Sequence, residues 1–263
     1  MTTSYATLEV EINGPMATIW MNRPEVFNAF NEELIADLSA ACSALDSDPA
    51  VRVVVLAGRG RHFSAGADLN WMRRASVSSQ EDNLKDARLF AQMLHLLSNL
   101  SKPTIARVQG LALGGGTGLA AACDMAVATT DAVFATSEVR FGIIPSVISP
   151  YVLRAIGPRH ALRYFQSAER IAAERALLIG LVNEVVPAEQ LDERIAALVK
   201  ELRLGAPQAQ KAAKDLIEAM RERPIDASVL EETAQRIARQ RTTEEAKGGI
   251  GAFLDKRPAP WLP

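Results

Sequence analysis

Val51, Val53, Val54, Val55 and Leu56 form a short β-branched apolar run that stops at Gly58, and this run constrains the fold more than any other feature of the chain. A strand that is apolar on both faces has no side to give to water, so it must lie inside a sheet that is covered on both faces. The residues around it supply the cover. From Asn31, a candidate N-cap, Leu34, Leu38, Ala41, Cys42 and Leu45 recur at helical spacing and predict an amphipathic helix over 31–46. A second round follows, with a helix from Glu81 to Leu100, a stop at Lys102-Pro103 and a strand over Thr104–Val108. Another apolar run, Met125–Ala128, comes after a glycine-rich turn. Ahead of these, strands over Thr7–Ile12 and Met16–Met21 flank Asn13-Gly14, a two-residue hairpin signal. The rhythm predicts an α/β core with strands packed under helices.

From Ala188 to Lys256 the β-branched runs give way to successive helical stretches, divided near Gly205-Ala206-Pro207, Arg223-Pro224 and Arg241-Thr242. Thr242-Thr243-Glu244-Glu245 reads as a helix start, with its acids at the positive end of the dipole. The apolar stripes of these helices pack either on the chain's own core or on another subunit. Composition then narrows the function. A chain of 263 residues, 48% hydrophobic, can bury a sizeable core without staples. Its formal net charge of −2 lacks the basic excess of a nucleic-acid binder. Two cysteines, Cys42 and Cys123, argue against a disulfide scaffold and fit a reducing compartment. The opening residues have no basic stretch leading into an apolar one, so no secretory leader is expected. No stretch reaches the ~18 uninterrupted apolar residues of a membrane span. The expectation is a cytoplasmic globular protein that binds neither membrane nor nucleic acid.

Several chemistries fall away on spacing. His62, His95 and His160 are scattered, with no i, i+4 pair and no paired cysteines, so no metal site is expected. Neither a G-x-S-x-G elbow nor a Walker-type phosphate loop occurs. Gly116-Thr117-Gly118-Leu119-Ala120-Ala121 matches G-x-G-x-x-A, and Glu138 lies 20 residues beyond Gly118. Gly110-Leu111-Ala112-Leu113 separates those glycines from the preceding strand, however, which is the wrong context for a dinucleotide. Two glycine-bearing turns, 63–69 and 110–116, each follow a strand end, where ligands collect in α/β proteins. They can each aim one backbone N–H at an acyl oxygen, as an oxyanion hole does. Alternatively, their glycines serve only tight turns and close packing.

Met21-Asn22-Arg23-Pro24, Asn28-Ala29-Phe30-Asn31, His62-Phe63-Ser64-Ala65-Gly66-Ala67-Asp68-Leu69, Lys102-Pro103-Thr104, Ala112-Leu113-Gly114-Gly115-Gly116 and Cys123-Asp124 resemble, in order, the crotonase (enoyl-CoA hydratase/isomerase) superfamily. Ser137 to Pro145, Gly180-Leu181-Val182 and Ala252 to Arg257 continue the match over nearly the whole chain. The resemblance implies an α/β fold: a crotonase-like spiral core of ββα repeats over 1–200 and a C-terminal helical trimerisation region over 201–263. It implies a homotrimer or dimer of trimers, and an acyl-CoA thioester substrate with no cofactor beyond that CoA. By motif position, the N–H groups of Ala67 and Gly115 hold the thioester oxygen. Ala65, Gly66, Ala67, Asp68, Leu69 and Asn70 line the CoA path together with Gly114 and Gly115. Phe253 and Lys256 match positions that touch CoA across a subunit contact. Glu25 stands where some hydratases carry a lysine toward the CoA phosphates.

Hydratases of the family carry two glutamates that hold and deprotonate a water. The second is present as Glu138, whereas the first is replaced by Gly118. On this reading, Gly118→Glu restores the pair wherever the added side chain has room. One carboxylate suffices in principle for hydration, or for moving a proton between C2 and C4, which is Δ3,Δ2-enoyl-CoA isomerisation. A non-catalytic acyl-CoA binder is the third possibility. Arg61 to Met72, Gly118-Leu119-Ala120, Ser137-Glu138-Val139-Arg140 and Val147 to Tyr151 are most similar to bacterial methylglutaconyl-CoA hydratases of leucine degradation. Substrates of that type are branched and carry a distal carboxylate. Arg140 could pair with it, or equally with a neighbouring Asp or Glu.

Overall fold

The computed structural model describes residues 2–262. Its strands are β1 (Thr2–Ser4), β2 (Leu8–Asn13), β3 (Met16–Met21), β4 (Val53–Gly58), β5 (Thr104–Val108), β6 (Leu111–Leu113), β7 (Met125–Thr129), β8 (Val133–Ala135), β9 (Ile171–Ala172) and β10 (Glu184–Val186). The helices of the first half are α1 (Glu32–Ser47), α2 (Leu69–Ala75), α3 (Gln80–Ser98) and α4 (Gly115–Ala122). After them come α5 (Ser149–Ser167), α6 (Ala173–Leu178), α7 (Leu191–Leu204), α8 (Pro207–Met220), α9 (Ala227–Arg241) and α10 (Glu244–Leu254).

One seven-stranded sheet runs in the order β1-β2-β3-β4-β5-β7-β10, antiparallel at its β1-β2-β3 edge and parallel from β3 onward. A smaller sheet, β6-β8-β9, stands apart from it. Every residue of β4 is buried, and its side chains divide between two cores as strand alternation requires. Val54 and Leu56 join Leu34, Leu38, Phe63 and Leu94 under α1 and α3. Val53 and Val55 meet Ile105, Val127, Leu191 and Ile195 under α7. Asn31 caps α1 by accepting the Leu34 N–H at 2.9 Å, as its position before the apolar stripe predicts.

The hairpin turn differs from the expectation. Asn13 pairs with Met16, so the two-residue loop is Gly14-Pro15 rather than Asn13-Gly14. A loop at Asn13-Gly14 would push Pro15 into the ladder, where it has no N–H to donate. Gly14, at φ +58°, takes the first central position instead. The glycine-rich segment also differs: residues 111–113 form β6, and 115–122 form α4. The Gly-Thr-Gly series therefore lies inside a helix, and the dinucleotide reading fails.

The helices beyond β10 begin as the sequence predicts, with Thr243 capping α10 by accepting the Ala246 N–H. They leave much apolar surface uncovered. No residue of α8 is buried, and Ile217, Leu230, Ile237, Phe253 and Leu254 are all exposed. Among the described residues, no helix is long and apolar enough to cross a membrane.

Candidate active site

The site forms where the chain leaves the carboxyl ends of β4 and β5. Residues 62–64 run parallel to β6: Phe63 N–H donates to Gln109 O at 2.9 Å, Ser64 N–H to Leu111 O at 3.0 Å, and Leu113 N–H to Ser64 O at 2.9 Å. This pairing brings two glycines together. Gly66 (φ +92°) and Gly114 (φ +50°) occupy the left-handed half of backbone space, and a Cβ on Gly66 would lie 2.8 Å from Leu113 O and 3.8 Å from Gly114 Cα. Only glycine satisfies both conditions.

The residue after each glycine has an unused N–H. Phe30 N–H donates to Gly66 O and Asp68 N–H donates to Phe30 O, both at 2.7 Å, and this parallel pairing passes over Ala67. Gly115 opens α4, whose first helical bond runs from Gly118 N–H to Gly114 O, so the Gly115 N–H belongs to the unpaired first turn. Neither N–H has an acceptor among the described residues.

Glu138 lies over the same helix start. It begins a short 3-10 turn after β8, closed by Gly142 at φ +73°. A Cβ on Gly114 would meet its Oε1 at 3.2 Å, while Oε2 is buried with no hydrogen-bond partner. Burial pushes the carboxyl above its ordinary pKa, and only a bond to its own backbone pulls the other way.

Gly118 is one turn further along the face of α4 that begins at Gly114. Its missing side chain is replaced by Ile148, whose Cγ2 would lie 2.2 Å from a Cβ there. Ile148 is fully buried. Successive turns of α4 thus carry the Glu138 carboxyl and an isoleucine. The sequence gives no signal for Ile148, which is 30 residues away and reaches Gly118 only through the fold. This corrects the expectation for Gly118→Glu, since a Cβ alone already collides. The single change should lower the melting temperature through overpacking, typically about 1–3 kcal/mol, and through burial of an unpaired carboxylate. With Ile148→Gly added, part of that loss should return. A double-mutant cycle by thermal melting checks this, and additive effects would disprove the contact.

The other expected residues divide. Asp68 is already engaged: it caps α2 by accepting from Asn70 N–H (2.8 Å) and Trp71 N–H (3.2 Å), and pairs with Arg23 at 3.1 Å. Burial alone would raise its carboxyl, but the Trp71 and Asn70 N–H groups and Arg23 outweigh that and hold it below the usual range. Its role is to fix the turn that carries Ala67. Ala65 is half-buried, with its N–H donated to Phe27 O; Leu69, Asn70 and Glu25 are exposed. Arg140 is exposed on the Glu138 turn and pairs with no described carboxylate, so pairing with a neighbouring acid is not found. Phe253 lines a shallow cavity of about 320 Å³ with Ala206, Ile250 and Trp261, and Lys256 follows α10 at φ +55°. That cavity includes neither Glu138 nor the two N–H donors. A second cavity, about 950 Å³, follows the seam between the core and α8 near Asp124 and Lys214 and also excludes them.

The family model for enoyl-CoA hydratase/isomerase matches residues 11–262. The chain belongs to the enoyl-CoA hydratase/isomerase family. It is 31% identical over 261 residues to the crotonyl-CoA hydratase of Syntrophomonas wolfei, covering 98% of this chain and 99% of that one. It is 34% identical over 238 residues to the 2,3-dehydroadipyl-CoA hydratase of Escherichia coli, with 90% and 91% covered. The crystal structure of an enoyl-CoA hydratase from Shewanella pealeana superposes with a TM-score of 0.95 at 37% identity, covering 98% and 97%. The fold is therefore the crotonase fold of this enoyl-CoA hydratase/isomerase chain, and its two touching glycine turns lie within the matched span.

Proposed function

We propose that the chain is an enoyl-CoA hydratase in which Glu138 is the single acid/base carboxylate. The observation that carries this reading is the pair of unused N–H groups, Ala67 and Gly115, each following one of two touching glycines, with the Glu138 carboxyl, its Oε2 buried and unpartnered, over the second. In the reaction, the thioester oxygen accepts both N–H groups. Water gives a proton to Glu138 as its oxygen adds to C3, the π electrons move onto the thioester oxygen as an enolate, and Glu138 returns the proton to C2. The N–H pair stabilises the enolate charge as it develops. Glu138 acts as a base only when ionised, so kcat/KM should fall as pH drops through a value above the ordinary 4.5.

The crotonyl-CoA and 2,3-dehydroadipyl-CoA hydratases among its relatives support this reaction class. A branched, methylglutaconyl-type acyl group with a distal carboxylate is the substrate we favour. The support is Arg140, exposed and unpaired on the Glu138 turn, together with a relative whose named substrate is a dicarboxylic acyl group. Arg140→Met should raise KM for carboxylated enoyl-CoAs by roughly 10-fold or more, given about 1.5–3 kcal/mol for hydrogen bonds to charged groups, and leave crotonyl-CoA unchanged. Equal effects on both substrates would remove Arg140 from substrate recognition. We assign no cofactor beyond the CoA of the substrate, and place the protein in the cytoplasm as a homotrimer or dimer of trimers. In that assembly the region over 201–263 uses its exposed apolar faces as the subunit contact, and Phe253 and Lys256 reach CoA across it.

Isomerisation is the second reading, favoured by one observation: Ile148 fills with hydrocarbon the place beside Glu138 where a second carboxylate would hold water. Mixing the protein with a panel of short, branched and carboxylated 2-enoyl-CoAs separates the readings. Hydration removes the thioester-enone absorbance, isomerisation of a 3-enoyl-CoA raises it, and a binder changes neither.

A further inference from the structure

His62 has no part in the chemistry above, yet three contacts fix its ring. The Leu111 N–H donates to its Nδ1 at 3.1 Å. The Phe27 ring meets it edge-on, with centroids 5.0 Å apart. On the side of Gly110 (φ +58°), a Cβ would lie 2.5 Å from Nδ1, so only glycine leaves room for the ring. The backbone carbonyl of His62 accepts the Asn28 amide at 2.9 Å, and the Leu111 N–H is taken by the imidazole.

Position along β6 gives that bond its consequence. Backbone N–H groups alternate in direction along an extended strand. Gly114 donates to Ala135 on one side, while Leu111 and Leu113 donate to the 62–64 segment on the other. The strand ends at Leu113, Gly114 turns the chain at φ +50°, and Gly115 opens α4 as the donor with no protein acceptor. The His62 bond therefore anchors the first residue of β6, the strand that leads through Gly114 to one N–H donor, to the segment that leads to the other.

We propose that His62 is a positioning residue: its Nδ1 replaces a backbone acceptor for Leu111 and thereby holds the Ala67 and Gly115 N–H groups in register. The proposal rests on the enoyl-CoA reading only for its activity readout. An accepting Nδ1 requires a neutral ring with its proton on Nε2. Burial, reinforced by Arg61 and opposed by Asp131, lowers the pKa from the ordinary 6.5 and keeps the ring neutral. The neutral ring's contribution to stability is complete above 6.5 and is lost as pH falls below it toward the depressed value. Two carboxylates also titrate in the site: burial raises Glu138 above its ordinary 4.5, while Asp68 is held below its usual range by its N–H donors and Arg23.

Asparagine and leucine separate the acceptor from the packing, because asparagine Oδ1 occupies the place of Nδ1 and leucine puts a methyl there. His62→Leu should lower kcat by about 10–100-fold, in line with the cost of a misplacement of order 1 Å, with KM little changed. His62→Asn should stay close to wild type. Nitrogen NMR of the wild-type histidines should show the Nε2–H tautomer for His62, persisting below pH 6.5. Equal kcat for the two variants, or a proton on Nδ1, overturns the proposal. If His62→Leu does not fold, the tautomer and the His62→Asn rate still decide it. A wild-type protein inert toward every enoyl-CoA would sink the functional reading, while the tautomer would still judge His62.

Discussion

Glu138→Gln should lower kcat by about 10²–10⁴-fold, the range expected when a positioned general acid/base is lost. Gln keeps the size of the side chain but cannot take a proton from water. No second carboxylate can compensate, because Ile148 occupies the space over Gly118. The same change should raise stability at neutral pH. A carboxyl whose folded pKa lies above its unfolded value favours the fold fully below the unfolded value, and that contribution is lost as pH rises through the folded one. At pH 7, wild type carries a buried charge with no partner on Oε2, and Gln relieves it. An inactive variant with a higher melting temperature at pH 7, but not at pH 4, is the expected signature of a strained catalytic group. Near wild-type turnover by folded Glu138→Gln would move the chemistry to another residue.

Gly115→Val is the second large effect. Displacing one oxyanion donor typically costs about 2.7–4 kcal/mol in the transition state, or 10²–10³ in kcat. A Cβ at Gly115 would lie 2.7 Å from Phe30 Cε2 and 3.1 Å from Phe90 Cζ, two rings already packed with centroids 5.5 Å apart. Valine must therefore move either the rings or the start of α4, so a lower melting temperature should accompany the lost activity, typically by about 1–3 kcal/mol. Steady-state kinetics well below the new midpoint keep the two effects apart. Normal turnover in a folded Gly115→Val protein would remove this N–H from the mechanism.

Much of this is legible in the amino-acid sequence. The β4 run, the Asn31 cap, the strand at Thr104–Val108 and the breaks between the last helices are local signals, carried by burial pattern, capping and proline. What escaped was non-local. β6 has three residues and exists because residues 62–64 and β8 flank it. The hairpin turn shifted by one residue because Pro15 lacks a donor. The first helical turn at Gly115 reads as part of a glycine-bearing turn over 110–116, since glycine-rich segments carry little helix propensity. At the site, motif position singled out Glu138, Ala67 and Gly115. It could not show that Asp68 is consumed by α2 and Arg23, that Ile148 stands in for a side chain at Gly118, or that His62 braces β6. Each of those depends on contacts between segments distant in sequence.

The most direct measurement is the mass of the CoA product formed from a 2-enoyl-CoA in water enriched in heavy oxygen. Hydration through Glu138 predicts a product heavier by one water, with the heavy oxygen at C3, formed about 10²–10⁴-fold more slowly by Glu138→Gln. A product of unchanged mass with a shifted double bond, or a water gain at wild-type rate in Glu138→Gln, would contradict the account.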